Sequence, residues 1–246
     1  MQALRSTSVA RFPATRWSVV ARASRRDDSA ARTALAELCS GYWPPLYAWA
    51  RRRGHDPDAA QELIQSFFAA LLGGDSLQGF DRERGRFRSW LLGALRHHDA
   101  RIREREQAIR RGGEATLVPF DAELAERVHA QAGSAELSPE QAYERAWALG
   151  VLARVEAKLR ADYLARGAAA ELDALAPVIL HDADVRYVEI ATALGRSEGA
   201  IKVAAHRLRK RYGELLRAEV GDTVASPEEV EPELRALIAA VQGRAG

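Results

Sequence analysis

The sequence predicts an all-α protein built as two helical modules joined by an acidic linker. Three observations carry this expectation. Ala, Leu, Arg and Glu dominate while only 7% of the 246 residues are aromatic, which favours helix over sheet. Apolar residues recur at spacings of three and four along several long stretches. Basic and acidic residues fall in alternating blocks that a net charge of +2 conceals. A hydrophobic content of 47% is enough to bury cores, and the length suits one large domain or two small ones. The single cysteine, Cys39, forms no internal disulfide and no Cys-based metal framework, which fits a reducing cytosol. No signal-peptide core opens the chain and no run reaches the length of a membrane span. A secreted scaffold, a zinc-finger array and a membrane protein are thereby excluded, and a cytoplasmic protein is expected.

Residues 1–29 form an N-terminal extension. The first module, 30–111, opens with a helix on which Leu35, Leu38, Tyr42, Leu46 and Trp49 make one stripe; Pro44 and Pro45 inside it should kink or interrupt it. Gly54-His55-Asp56-Pro57 is a turn, with Asp56 as N-cap and Pro57 at the first helical position. The next helix carries Ala60, Leu63, Ile64, Phe67, Phe68 and Leu71 and ends at Gly73-Gly74. After a polar loop, 75–85, a third helix starts near Arg86. It sets Phe87, Trp90, Leu91, Ala94 and Leu95 on one face, leaving Arg88, Arg96, Arg103 and Arg110 elsewhere. Residues 112–138 are the linker. Ser138-Pro139-Glu140-Gln141 starts the second module, 139–220, with a capping box, and its helix runs to about Ala165. Two shorter helices, about 168–180 and 185–194, lead to Gly195. A long helix follows from Ser197, and the acidic tail, 221–246, holds a last helix after Ser226-Pro227.

Charge divides the chain in the same places. Arg82 to Arg111 carries ten Arg against Glu83, Asp99, Glu104 and Glu106, a balance of +6. Arg196 to Arg217 carries seven Lys/Arg against Glu198 and Glu214, a balance of +5. Between them, Asp121 to Glu144 is −5, and the tail from Glu219 to Glu233, after both, is −6. Two basic segments suggest two surfaces for a polyanion, the plainer alternative being solvated helix faces.

Residues 187–201 fit a helix-turn-helix: Ala191 lets the second helix approach, Gly195 supplies the turn, and Ile201 packs back. Ser197 caps the second helix, whose apolar stripe is Ile201, Ala204, Ala205, Leu208, Tyr212 and Leu215. Off that stripe, Arg196, Glu198 and Lys202 could meet base edges while the later basic residues meet phosphates. A helical hairpin with a basic outer face is the alternative.

Together these segments resemble the extracytoplasmic-function (ECF) sigma factors of bacterial RNA polymerase. Tyr42-Trp43-Pro44-Pro45-Leu46-Tyr47-Ala48, Ala60 to Phe68, and Gly85-Arg86-Phe87-Arg88-Ser89-Trp90-Leu91-Leu92 resemble the family's region 2. Ser197 to Lys210 is the most specific match and resembles region 4. Phe12-Pro13-Ala14-Thr15-Arg16-Trp17 and the tail resemble a divergent long-linker branch. The resemblance implies that Gln61, Glu62 and Gln65 dock on the clamp helices of the largest subunit of core RNA polymerase. It implies that Phe80, Arg84, Arg86, Arg88, Arg96 and Arg103 hold the promoter −10 element. It gives the −35 element to Arg196, Ser197, Glu198, Lys202, His206, Arg207, Arg209, Lys210 and Arg211. It also implies no catalysis and no cofactor, with promoter DNA and an anti-sigma or other regulatory protein as further partners. Phe87 and Trp90 suit a helix core better than base stacking, for which Phe80 is the better choice. Gln61 and Ser66 stand where the family often has carboxylates, so the docking segment is less acidic than usual.

A free-standing helix-turn-helix regulator, binding duplex DNA without polymerase, is the rival reading. An enzyme is not expected: no phosphate loop, dinucleotide fingerprint or nucleophile motif is present. His97 and His98, adjacent on a helix, diverge by about 100° and do not readily share a metal ion. For the acidic tail three roles stay open: a solvated helix, a cover for the basic recognition helix, or an extra polymerase contact.

Overall fold

The computed structural model describes residues 29–73, 86–108, 126–127, 130, 137–177, 186–224 and 226–243; for 29–40 and 105–108 only the backbone is described. Eight α-helices make up the fold among the described residues: α1 Ser29–Arg52, α2 Pro57–Gly73, α3 Phe87–Ala108, α4 Pro139–Ala165, α5 Ala169–Leu175, α6 Tyr187–Ala193, α7 Glu198–Gly221 and α8 Val230–Val241. A single 3-10 turn, Pro227–Glu229, precedes α8.

Local chemistry fixes most boundaries where the sequence expects them. The Asp56 carboxylate accepts from the Ala59 amide at 2.8 Å, capping α2, and Gly54 turns the chain before it at φ +94°. At α4 the capping box is complete: the Ser138 hydroxyl accepts from the Gln141 amide and the Gln141 side chain accepts from the Ser138 amide. Ser197 caps α7 through the Ala200 amide, and Gly195 makes the preceding turn at φ +62°. Of the kink or interruption expected at Pro44-Pro45, the interruption does not occur, and α1 runs through both prolines as one helix. Tertiary packing overrides the local penalty: Tyr42, Trp43, Leu46, Tyr47 and Trp49 around the prolines are all buried, pinned by α2, α3 and α4. The helix expected over 168–180 is observed as the shorter α5, and residues 178–185 lie outside the described residues.

Two hydrophobic cores organise the packing, and they do not divide the chain at the linker. The first joins α1, α2 and α3 to Tyr143, Trp147, Ala148 and Val151 of α4, Val220 of α7, and Leu234 and Leu237 of α8. The second joins Val155, Leu159 and Tyr163 of α4 to Leu172, Leu175, Ala191, Ile201, Ala204, Ala205, Leu208 and Leu215. With 27 residues, α4 is about 40 Å long, so its two halves can serve different cores. It is the beam on which both are built. The tail helix lies against the first core and not over the basic face of α7.

Acidic blocks of the sequence meet basic ones in space. Glu126 from the linker is held by Arg51 and Tyr47 of α1. Glu140 and Glu144 at the start of α4 pair with Arg96 and Arg88 of α3. Glu233 of α8 pairs with Arg86 and Arg88, and Glu231 with Arg217. Where α7 crosses α4, the buried Glu219 accepts from Arg154 at 2.5 Å and from Lys158. Burial alone would raise the Glu219 pKa, but the two cationic donors outweigh it and hold the carboxyl below its ordinary value.

Candidate nucleic-acid interface

Three surfaces carry the residues that the sequence singles out. On α2, periodicity sends Leu63, Ile64, Phe67, Phe68 and Leu71 into the first core and turns the opposite face outward. Glu62 is exposed on that face with Asp58 one turn before it, and Gln61 is half-buried. Gln65 is not on it. It is only 7% exposed. Ser66 is engaged with His98 Nε2 of α3 at 2.9 Å.

The α3 surface differs most from expectation. Arg88 is not a free cation on an outer face: it is 4% exposed. The reason is periodic, since Arg88, Leu91, Leu92 and Leu95 stand at i, i+3, i+4 and i+7, which is the core stripe itself. Its Nε donates to Glu233 Oε1 at 2.6 Å and its Nη2 to Glu233 Oε2 at 3.2 Å. A further nitrogen meets Glu144, and the guanidinium lies 4.4 Å from the Trp147 ring centroid. The Tyr143 hydroxyl donates to the Arg88 carbonyl at 2.9 Å. Arg86, half exposed, reaches Glu233 Oε2 at 3.0 Å. Arg96 is paired with Glu140, and Arg103 with Asp99 at 3.2 Å and with His55 at 3.0 Å. Phe80 and Arg84 lie outside the described residues. Phe87 is core, edge-on to Tyr42, and Trp90 stacks on it from a half-buried position.

Helix α7 supplies the third surface. Ile201, Ala204, Ala205 and Leu208 face the second core, so Lys202, Val203, His206, Arg207 and Lys210 form one exposed stripe. Gly199 continues this stripe toward the helix start, and a Cβ there would meet nothing within 4 Å. Before the helix, Arg196 is tied to Glu171 of α5. Lys202 pairs with Glu198 one turn back at 2.7 Å, which raises its pKa. Arg209 is half-buried and its Nη2 reaches the Tyr187 hydroxyl at 3.5 Å. Arg211 is engaged inward with Asp162 at 2.5 Å and, more loosely, with Glu214 at 3.7 Å. The outward cations are therefore Lys202, Arg207 and Lys210, with His206 among them.

Arg88, Gln65 and Glu233 are buried polar groups that the sequence does not single out as such, yet Arg88 and Glu233 carry a signal. Arg88 interrupts a leucine stripe, and Glu233 sits with Val230, Leu234 and Leu237 on the apolar stripe of α8. An ionised side chain on an apolar stripe requires a buried partner of opposite charge.

Among the described residues no group of three His, Cys, Asp or Glu side chains could hold a metal ion, and no helix is long and apolar enough to cross a membrane. No curated protein and no solved structure matches the chain. Residues 38–105, which span most of α1, all of α2 and most of α3, match the family model of sigma-70 region 2. The chain thus carries a domain similar to sigma-70 region 2, built on its first core.

Proposed function

We propose that this chain is a sigma factor of the ECF type, a non-catalytic subunit that directs RNA polymerase to promoters, with a region 2-like module on α1–α3 and a region 4-like helix-turn-helix on α6–α7, working in the cytoplasm. The exposed face of α2 around Asp58, Gln61 and Glu62 docks on the clamp helices of the largest polymerase subunit. The segment from residue 75 through the basic face of α3 holds the −10 element, and the stripe Lys202, Val203, His206, Arg207 and Lys210 reads the −35 element. Polymerase supplies the chemistry, so no cofactor is required.

The observation that carries this reading is the order of parts. A matched region 2 domain is followed by a Ser197-capped helix whose one exposed face is cationic and whose other face is core. Cations at the start and middle of such a helix suit base edges and phosphates of a major groove. The less acidic docking face carries Glu62 as its exposed charge on the middle turn.

Size exclusion of the full chain with core polymerase from its own source tests the reading. Co-elution that Glu62→Lys abolishes, with unchanged helix content, supports the α2 docking face. Absence of co-elution for the wild-type chain overturns it and leaves the α6–α7 pair as part of a free-standing regulator.

A further inference from the structure

The tail helix holds a carboxylate where a nucleic-acid phosphate would fit. Arg86 Nε meets Glu233 Oε2 at 3.0 Å, while Arg88 Nε meets Oε1 at 2.6 Å and Arg88 Nη2 meets Oε2 at 3.2 Å. Two guanidinium groups that grip both oxygens of one anion present the forked donor geometry that also grips a phosphate. These arginines end an alternating run, Arg82, Arg84, Arg86 and Arg88, on the segment assigned above to promoter DNA. The Arg88 end of the site is prebuilt from the far side. Glu144 and the Trp147 ring hold the guanidinium, and the Tyr143 hydroxyl holds the backbone carbonyl, independently of the tail.

The tail helix is seated on the first core along one side and borders an open cavity on the other. Helix α8 contributes Leu234 and Leu237 as its buried apolar side chains, and its Ala236, Ala239 and Ala240 line an open cavity beside Arg86, Ser89 and Glu144. Glu233, 1% exposed, is the anchor.

We propose that Glu233 is a built-in competitor for a promoter phosphate: α8 closes the Arg86–Arg88 site in the free protein and leaves it when DNA phosphate takes the carboxylate's place. This rests on the reading that the basic face of α3 meets promoter DNA. It moves the autoinhibitory role of the tail from the recognition helix, one of the roles left open above, to the −10 side. The tail's acids engage the start of α3 at Glu233, and Glu231 meets Arg217 near the end of α7.

Phosphate contacts are independent of sequence, so a mixed-sequence 30-nucleotide single strand is a sufficient probe. Its affinity for the full chain is measured from about 50 to 200 mM salt, the range over which phosphate contacts change binding most. Glu233→Gln keeps the shape of the anchor and removes its charge. The expected result is about tenfold tighter binding, the size of an ordinary intersite coupling, and a slope of log affinity against log salt steeper by about 0.7 per phosphate gained. The combined variant Glu233→Gln with Arg86→Ala should lose that gain. Glu231→Gln, which removes the same charge from an exposed position, should not reproduce it. An unchanged slope in Glu233→Gln overturns the proposal, as does an equal gain in Glu231→Gln or a gain that survives Arg86→Ala. Failure of wild-type co-elution with polymerase would strike the sigma reading instead, and the salt-slope comparison would still decide whether Glu233 blocks a phosphate site.

Discussion

Replacing Arg88 by methionine removes a guanidinium while keeping most of the stem's volume. In the wild-type chain this group is 4% exposed and faces Glu233, itself 1% exposed, and it lies 4.4 Å from the Trp147 ring centroid. Removing one partner of a buried ion pair costs about 3–5 kcal/mol because the other charge is stranded. Arg86 remains 3.0 Å from Glu233 and offsets part of this, and a methionine sulfur replaces part of the cation–π contact by packing on the ring. The net expectation is about 3 kcal/mol, at the lower end of that range. For a chain of 246 residues this corresponds to a drop in Tm of about 6–12 °C. Intrinsic fluorescence is the appropriate assay, because Trp43, Trp49 and Trp147 belong to the first core and Trp90 packs against it. The double variant Arg88→Met with Glu233→Gln removes the stranded charge and should melt above Arg88→Met alone. A Tm for Arg88→Met within about 2 °C of wild type, less than 1 kcal/mol at this size, would refute the reasoning. So would a double variant that loses the sum of the two single effects.

Two further expectations follow from the same contacts. The Glu219 carboxyl sits below its ordinary value of 4.5, so its contribution to stability is full above that pH and is lost as pH falls through the lower folded value. Acid titration followed by far-UV circular dichroism should show an unfolding component below pH 4.5 that Glu219→Gln removes, and an identical acid limb in both proteins would contradict this. On α7, Arg207→Ala should reduce the salt slope of duplex binding by about 1 if the residue meets a phosphate. Arg211→Ala should act chiefly on stability, because Asp162 already engages that side chain. Equal slopes for Arg207→Ala and wild type would remove Arg207 from the interface.

What was legible in the sequence is what is decided within a few residues. The Ser138 capping box, the Asp56 and Ser197 caps and the Gly195 turn are local, and each stands where spacing and side-chain chemistry put it. The apolar stripes of α2 and α7 were legible for the same reason. Contacts decided across the chain were not. Pro44 and Pro45 read locally as a kink or interruption, and the packing of α1 against α2 and α4 keeps it helical through them. Arg88 meets Glu233 across 145 positions, so no window of sequence contains both. The two-module division met a similar difficulty: α4 begins after the linker, yet Tyr143 to Val151 complete the first core while Val155 to Tyr163 open the second. A long helix read by itself does not announce that its partners change halfway.

For the DNA-facing residues the difference is one of charge accounting. Sequence counts each arginine as available, whereas the fold neutralises many of them from within. Arg86, Arg88, Arg96 and Arg103 all have carboxylate partners, and so do Arg196, Lys202 and Arg211. The cations best placed for a polyanion are those whose carboxylates can move, Glu233 on its tail helix above all, and those on the open stripe of α7.

The most direct test of sigma function is transcription by core polymerase from the same source, with and without this chain, on genomic template fragments with 5′ ends mapped. Sigma function predicts discrete start sites that appear only with the chain and share two upstream sequence blocks at a fixed spacing. It also predicts that Glu62→Lys abolishes them. Transcripts indistinguishable from those of core enzyme alone would contradict it.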